Sequence, residues 1–247
     1  MNLQQVFTVA AASAIVISSA FASGGAHWTY EGKEGPSHWG NLSHSYAMCK
    51  EGKKQSPIDI STTKKAKLSK INFSYTAQPK EILNNGHTVQ VNMKKGSSVT
   101  VAGKTYNLLQ FHFHAPSEHT INGKPADMVA HFVHQAKDGQ LGVVGVLFKA
   151  GKTNAALAKL WKYMPQKEGD KNTLAAGITI AKLLPAKTNY YHYSGSLTTP
   201  PCSENVNWMV LQTSVSVSTA QVDAFSRVIH KNVRPVQSHH GRMVKSN

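Results

Sequence analysis

The sequence predicts a mainly β, α+β fold: a single domain with a large central, mostly antiparallel twisted sheet and a few peripheral helices. Three observations predict it. Alternating runs rich in β-branched and aromatic residues recur along the chain, only two segments carry helical spacing, and no repeat, low-complexity tract or linker divides it. The 247 residues, 40% hydrophobic and 16% charged, fit one domain of ordinary core size or two small ones, and the absence of a linker favours one. No apolar run reaches the roughly 18 residues of a membrane-spanning helix.

Residues 1–22 read as a secretory signal. An apolar run from Val6 to Ile17 is followed by small residues and Ala20-Phe21-Ala22, an A-x-A cleavage pattern that starts the mature domain, 23–247, near Ser23. The usual basic residues are missing from Met1 to Gln5, so only the α-amino group supplies positive charge there. A buried N-terminal helix is the competing reading, disfavoured by Gly24 and Gly25 and by the lack of a polar face. Trp28 to Pro57 shows no sustained period and reads as an irregular arm. Strands are expected at Thr88 to Met93, Ser98 to Val101, Leu108 to His114, Met128 to Gln135, Val143 to Phe148, Tyr190 to Tyr193 and Trp208 to Val217, with Asp138-Gly139 as a hairpin turn. Asn154 is placed to cap a helix carrying Leu157, Leu160, Trp161 and Met164 on one face. Ser218 and Gln221 form a capping box ahead of Val222, Phe225, Val228 and Ile229.

Lys and Arg number 27 against 12 Asp and Glu, a net charge of +15. Only Arg227, Arg234 and Arg242 are arginines, leaving 24 lysines. Nucleic-acid readers lean on arginine's bidentate fork, so no nucleic-acid partner is expected. Scattered pairs such as Lys53-Lys54 and Lys94-Lys95 read as a solvated coat, compatible with weak electrostatic association with anionic envelope surfaces. In an oxidising compartment Cys49 and Cys202, the only cysteines, form one disulfide; two free buried thiols are the alternative.

Chemistry concentrates in three of the 13 histidines. In Gln110-Phe111-His112-Phe113-His114 the period of two puts His112 and His114 on one strand face, about 7 Å apart, with the phenylalanines on the other. A return strand through Ala130-His131-Phe132-Val133-His134 brings His131 beside them. Three neutral imidazoles on a rigid sheet suit Zn²⁺, with the fourth tetrahedral position open, as in catalytic rather than structural sites.

These blocks, taken with Ser117-Glu118-His119, Asn84-Asn85-Gly86-His87, Gln55-Ser56-Pro57-Ile58 and Gly195-Ser196-Leu197-Thr198-Thr199-Pro200-Pro201, resemble in order the signature blocks of the α-class carbonic anhydrases, from about Trp28 to Arg242. The exported, lysine-rich, single-disulfide form is similar to bacterial periplasmic members. The resemblance implies one Zn²⁺ per chain on His112, His114 and His131, and zinc-bound hydroxide attacking carbon dioxide to give bicarbonate. It implies that Thr198 and Glu118 orient the attack, that Val133, Val143, Leu197, Thr199 and Trp208 form the substrate pocket, and that His87 shuttles protons. Gln110 is the implied support of His112. At Val129 the sequence leaves the pattern, since most members carry a glutamate there to support the third ligand, and Asp127 is a poor replacement. A periplasmic or secreted location follows from the signal, and a homodimer is left open. Two competing readings are a non-catalytic zinc-binding module of the same family and a zinc-storage protein using the surplus histidines.

Overall fold

Alternate side chains of a strand go to opposite faces, and the long central strands use this to separate a predominantly apolar core from a face that carries His112, His114 and His131. The computed structural model describes residues 25–247, so the signal segment lies outside the described residues. In chain order the strands are β1 Asp59–Ile60, β2 Thr63–Lys65, β3 Asn72–Ser74, β4 Pro79–Asn84, β5 Val89–Met93, β6 Ser98–Val101, β7 Lys104–His114 and β8 Thr120–Ile121. There follow β9 Lys124–Pro125, β10 Met128–Ala136, β11 Leu141–Ala150, β12 Lys171–Thr173, β13 Tyr190–Ser196, β14 Glu204–Leu211, β15 Val215–Val217 and β16 Val244–Ser246. Thirteen of them form one mixed sheet, ordered β12-β4-β5-β7-β10-β11-β14-β13-β16-β2, with β6 and β3 continuing off β7 and β15 pairing with β11. Most pairings are antiparallel, whereas β11–β14, β11–β15 and β16–β2 are parallel.

The larger core lies on the face of Phe111, Phe113, Ala130, Phe132, Val144 and Met209. Two helices cover it. α3, Ala155–Trp161, begins at Asn154, whose side chain accepts from the Ala156 and Leu157 N–H groups, and buries Leu157 and Leu160. α4, Thr219–Val228, opens with the Ser218/Gln221 capping box and buries Phe225. The opposite face carries a smaller apolar cluster of Val129, Val133, Val143, Leu147, Trp208 and Val210.

Two expectations change. The run Trp208 to Val217 is two strands, because the chain leaves β14 after Leu211 and returns as β15 beside the far end of β11. The N-terminal arm is not wholly irregular: it holds the short helices Trp39–Leu42 and Met48–Glu51. Its anchor is Trp39, fully buried, whose indole N–H donates to the Thr29 carbonyl at 2.8 Å. The strands ending the sheet path, β2 and β12, are exposed throughout and carry Lys64, Lys65 and Lys171. Charged, short edges of this kind discourage edge-to-edge pairing, which gives part of the lysine excess a structural use. Among the described residues no helix is long and apolar enough to cross a membrane.

Cys49 and Cys202 are joined in a disulfide across 153 residues. Loop closure of that length stabilises a fold by up to about 5 kcal/mol in the chain-entropy model. Cys49→Ser is therefore expected to lower the midpoint of denaturant unfolding, and titration of the native parent with a thiol reagent should detect no free thiol. A second expectation concerns His134, which is fully buried, with Nδ1 3.2 Å from the Gly142 carbonyl and Nε2 2.9 Å from the Tyr75 hydroxyl. Burial pushes its pKa from 6.5 down to about 4. Between those values the unfolded chain takes up a proton that the folded chain refuses, so its contribution is complete above pH 6.5 and declines as pH falls toward about 4. In that window stability measured against pH should be shallower in His134→Gln than in the parent, by about 1.4 kcal/mol per pH unit.

Candidate metal centre

The β7–β10 register builds the centre. His112 sits directly opposite His131, and Val129 opposite His114, so three histidines from two neighbouring strands share one face. One ring nitrogen from each lies within 4.8 Å of the others. His114 and His131 are buried and His112 partly so, which leaves one open side.

Backbone and amide partners fix which nitrogen points inward. His112 Nδ1 donates to Gln110 Oε1 at 2.8 Å, and His114 Nδ1 donates to the Asn232 carbonyl at 2.6 Å. Each therefore keeps Nε2 as a lone-pair donor toward the centre. His131 turns the other way: its Nδ1 lies 3.8 Å from Glu118 Oε2, and His114 Nε2 lies 3.5 Å from the same oxygen. Desolvation, reinforced by neighbouring imidazoles, holds His112 and His131 well below the ordinary histidine pKa. They are neutral, as ligands must be. His114 Nε2 and Glu118 Oε2 are buried with no hydrogen-bond partner among the described residues. A set of three imidazole nitrogens with such orphaned atoms fits a divalent cation of the Zn²⁺ type.

Glu118 is 1% exposed. Burial raises its pKa, and the closeness of His114, the Thr198 hydroxyl and the Arg234 N–H oppose that rise. The Arg234 N–H donates to Oε1 at 3.0 Å. The Arg234 guanidinium, itself 1% exposed, donates to Gln55 Oε1, the Ser56 carbonyl and the Cys49 carbonyl. Gln55 Nε2 in turn donates to the Cys202 carbonyl at 3.1 Å. The Glu118 carboxyl group is thus linked through Arg234 and Gln55 to the residues of the disulfide. Apolar residues border the histidines on the same face: Val133, Val143 and Trp208 are buried, with Leu197 packed against them. His87 is half-buried and stacks on Trp28 with ring centroids 3.7 Å apart.

Residues 34–247 match the model of the eukaryotic-type carbonic anhydrase family. The chain is 43% identical to a carbonic anhydrase of Pectobacterium atrosepticum, over 92% of this chain and 93% of that one. It is 45% identical to one from Neisseria gonorrhoeae, over 88% and 87%. An α-carbonic anhydrase of Thermovibrio ammonificans, solved with sulfanilamide, superposes with a TM-score of 0.88 at 51% identity, covering 90% of this chain and all of that one. The chain belongs to the α-carbonic anhydrase family. It is an enzyme of that lyase family, whose reaction is carbon dioxide hydration.

For a carbonic anhydrase the sequence-expected residues come together well: His112, His114, His131, Gln110, Glu118, Val133, Val143, Leu197 and Trp208 occupy one face of the sheet and its immediate border. Thr198 is buried beside Glu118, whereas Thr199 is partly exposed and its carbonyl accepts the Cys202 N–H. Asp127 is committed elsewhere, accepting the Ala150 N–H at 2.7 Å. Val129 is buried within the apolar cluster and offers no acceptor, so His131 Nε2 has no partner among the described residues. Sequence reasoning missed Asn232 and Arg234, which hold His114 and Glu118. The scarcity of arginine was the available signal: a rare guanidinium in a lysine-rich chain marks a place where a planar fork is needed. Purified protein is expected to hold one divalent metal per chain. His114→Ala should lose most of it with the fold retained, as read by metal analysis and circular dichroism.

Proposed function

We propose that this carbonic anhydrase hydrates carbon dioxide reversibly to bicarbonate and a proton using zinc held by His112, His114 and His131, and that it works after export, in the periplasm or outside the cell. The observation that carries the reading is the convergence of three imidazole nitrogens within 4.8 Å, backed by a buried carboxyl group. Bound zinc would supply a Lewis acid that makes hydroxide available near neutral pH.

The chain's own residues do the rest. Glu118, held by the Arg234 N–H, takes the Thr198 hydroxyl proton in a hydrogen bond, which leaves the Thr198 oxygen to accept from the attacking nucleophile and aim its lone pair. Val133, Val143, Leu197 and Trp208 offer an apolar wall to a small, linear substrate with no strong hydrogen-bonding group. Thr199, next to Thr198 in the same loop, would contact the substrate there. His87 carries the released proton outward. Burial lowers its pKa from 6.5, against the opposing pull of Glu168, and so favours handing the proton on to buffer.

Stopped-flow hydration of carbon dioxide with zinc quantified tests the reading. Zinc at one per chain without hydration would sink it in favour of a zinc-binding module, and several labile metals per chain would favour storage. His87→Ala should slow turnover in dilute buffer and recover when imidazole is added. Equal rates at every buffer concentration would remove His87 from the proton path.

A further inference from the structure

Two ring nitrogens behind the metal centre are buried and have no hydrogen-bond partner among the described residues: Nε2 of His131 and Nδ1 of His119. Their rings lie 6.0 Å apart, centroid to centroid, and both pack on the Trp208 ring, at 4.9 and 4.6 Å. Val129, on the same sheet face as His131, is apolar and fully buried. A metal-ligating imidazole ordinarily gives its second N–H to an acceptor, which fixes its tautomer and ring angle. His112 and His114 do so within the molecule, and His131 does not.

We propose that His119 is a positioning residue for His131: Nε2–H of His131 donates to one buried water, and that water donates to Nδ1 of His119. The proposal rests on reading the three histidines as a zinc site. A bridge suits the spacing better than a direct bond, because neither nitrogen has a partner within reach although the rings are neighbours. His119 Nε2 lies 2.6 Å from the Tyr193 hydroxyl, which lies 2.8 Å from Ser56 Oγ, itself the acceptor of the Ser196 N–H. In the assigned arrangement Nε2–H donates to Tyr193 and Tyr193 donates to Ser56, which leaves Nδ1 unprotonated and free to accept. The Ser56–Tyr193 end is held tightly: a Cβ at Gly195 would run into Ser56 Oγ and the Tyr193 and Trp208 rings. The acceptor of the His131 N–H is thus a water backed by a neutral ring, which polarises that N–H less than a carboxylate does.

The test uses zinc-loaded protein and two readouts besides activity. Nitrogen-15 NMR of the histidine rings should find His119 protonated at Nε2 alone and a slowly exchanging Nε2–H on His131. A His119 protonated at Nδ1 overturns the proposal. The second readout is zinc release to a chelator. His119→Phe should release zinc about 10-fold faster than the parent. His119→Asn, whose side-chain oxygen can take the place of Nδ1, should stay close to the parent rate. Val129→Glu should slow release, in the parent and in His119→Phe alike, by offering His131 a carboxylate. Equal release from the parent and His119→Phe, or equally fast release from His119→Phe and His119→Asn, overturns the assignment. If His119→Phe does not fold, the tautomer of the parent decides alone. Failure of the zinc reading itself would show separately, as less than one zinc per parent chain.

Discussion

The pairing of β7 with β10 is the constraint on which the rest depends. Because His131 stands opposite His112, a slip of one residue in either strand would send that strand's histidines into the phenylalanine core and bring phenylalanines to the open face. The two faces are so unlike that the register is held from both sides. Phe111, Phe113 and Phe132 must be buried in the larger core, where Phe113 packs on Trp161 and Phe225, and the imidazoles must reach polar partners. The ladder shifts register only beyond Val133, one pair past the last residue that borders the site.

A second layer of order comes from polar groups sealed inside the fold. Asn232 works in three directions: its carbonyl takes the His114 proton, its Oδ1 accepts from the Ala115 N–H, and its Nδ2 donates to the Phe113 and His87 carbonyls. Arg234 does the same for Glu118 and the arm around Cys49 and Gln55. Each such group would cost about 1–3 kcal/mol if left unpaired, so these contacts specify one arrangement of the strands, loop and arm rather than adding much net stability.

How much of this was legible followed from how local each signal is. The convergence of His112, His114 and His131 could be read because their spacing is a property of two strands, and both helix caps because a cap is a four-residue feature. The short strands β2, β12 and β16 carry no alternating apolar pattern; they exist because neighbours offer them a ladder. Trp208 to Val217 looked continuous because both halves carry strand-favouring residues such as Trp208, Val210, Val215 and Val217, and only the parallel pairing of β15 with β11 separates them. The partners of Asn232 and Arg234 were illegible for a different reason: they lie 118 and 116 residues away, and although the rarity of arginine marks Arg234, nothing in the sequence announces that distance.

That distance ties the maturation of the site to segments made long after its histidines. Asn232 and Arg234 follow His114 and Glu118 by 118 and 116 residues, and β16, at Val244–Ser246, fills the gap between β13 and β2. A chain still lacking residues 232–246 already contains the three histidines and Glu118, yet His114 has no carbonyl to orient it and the carboxyl group has no backbone donor. The order of synthesis is thus also an order of readiness: long-range closure comes late and slowly in a sheet of this contact pattern. A segment that emerges well after the imidazoles is the one that turns their cluster into an aligned set.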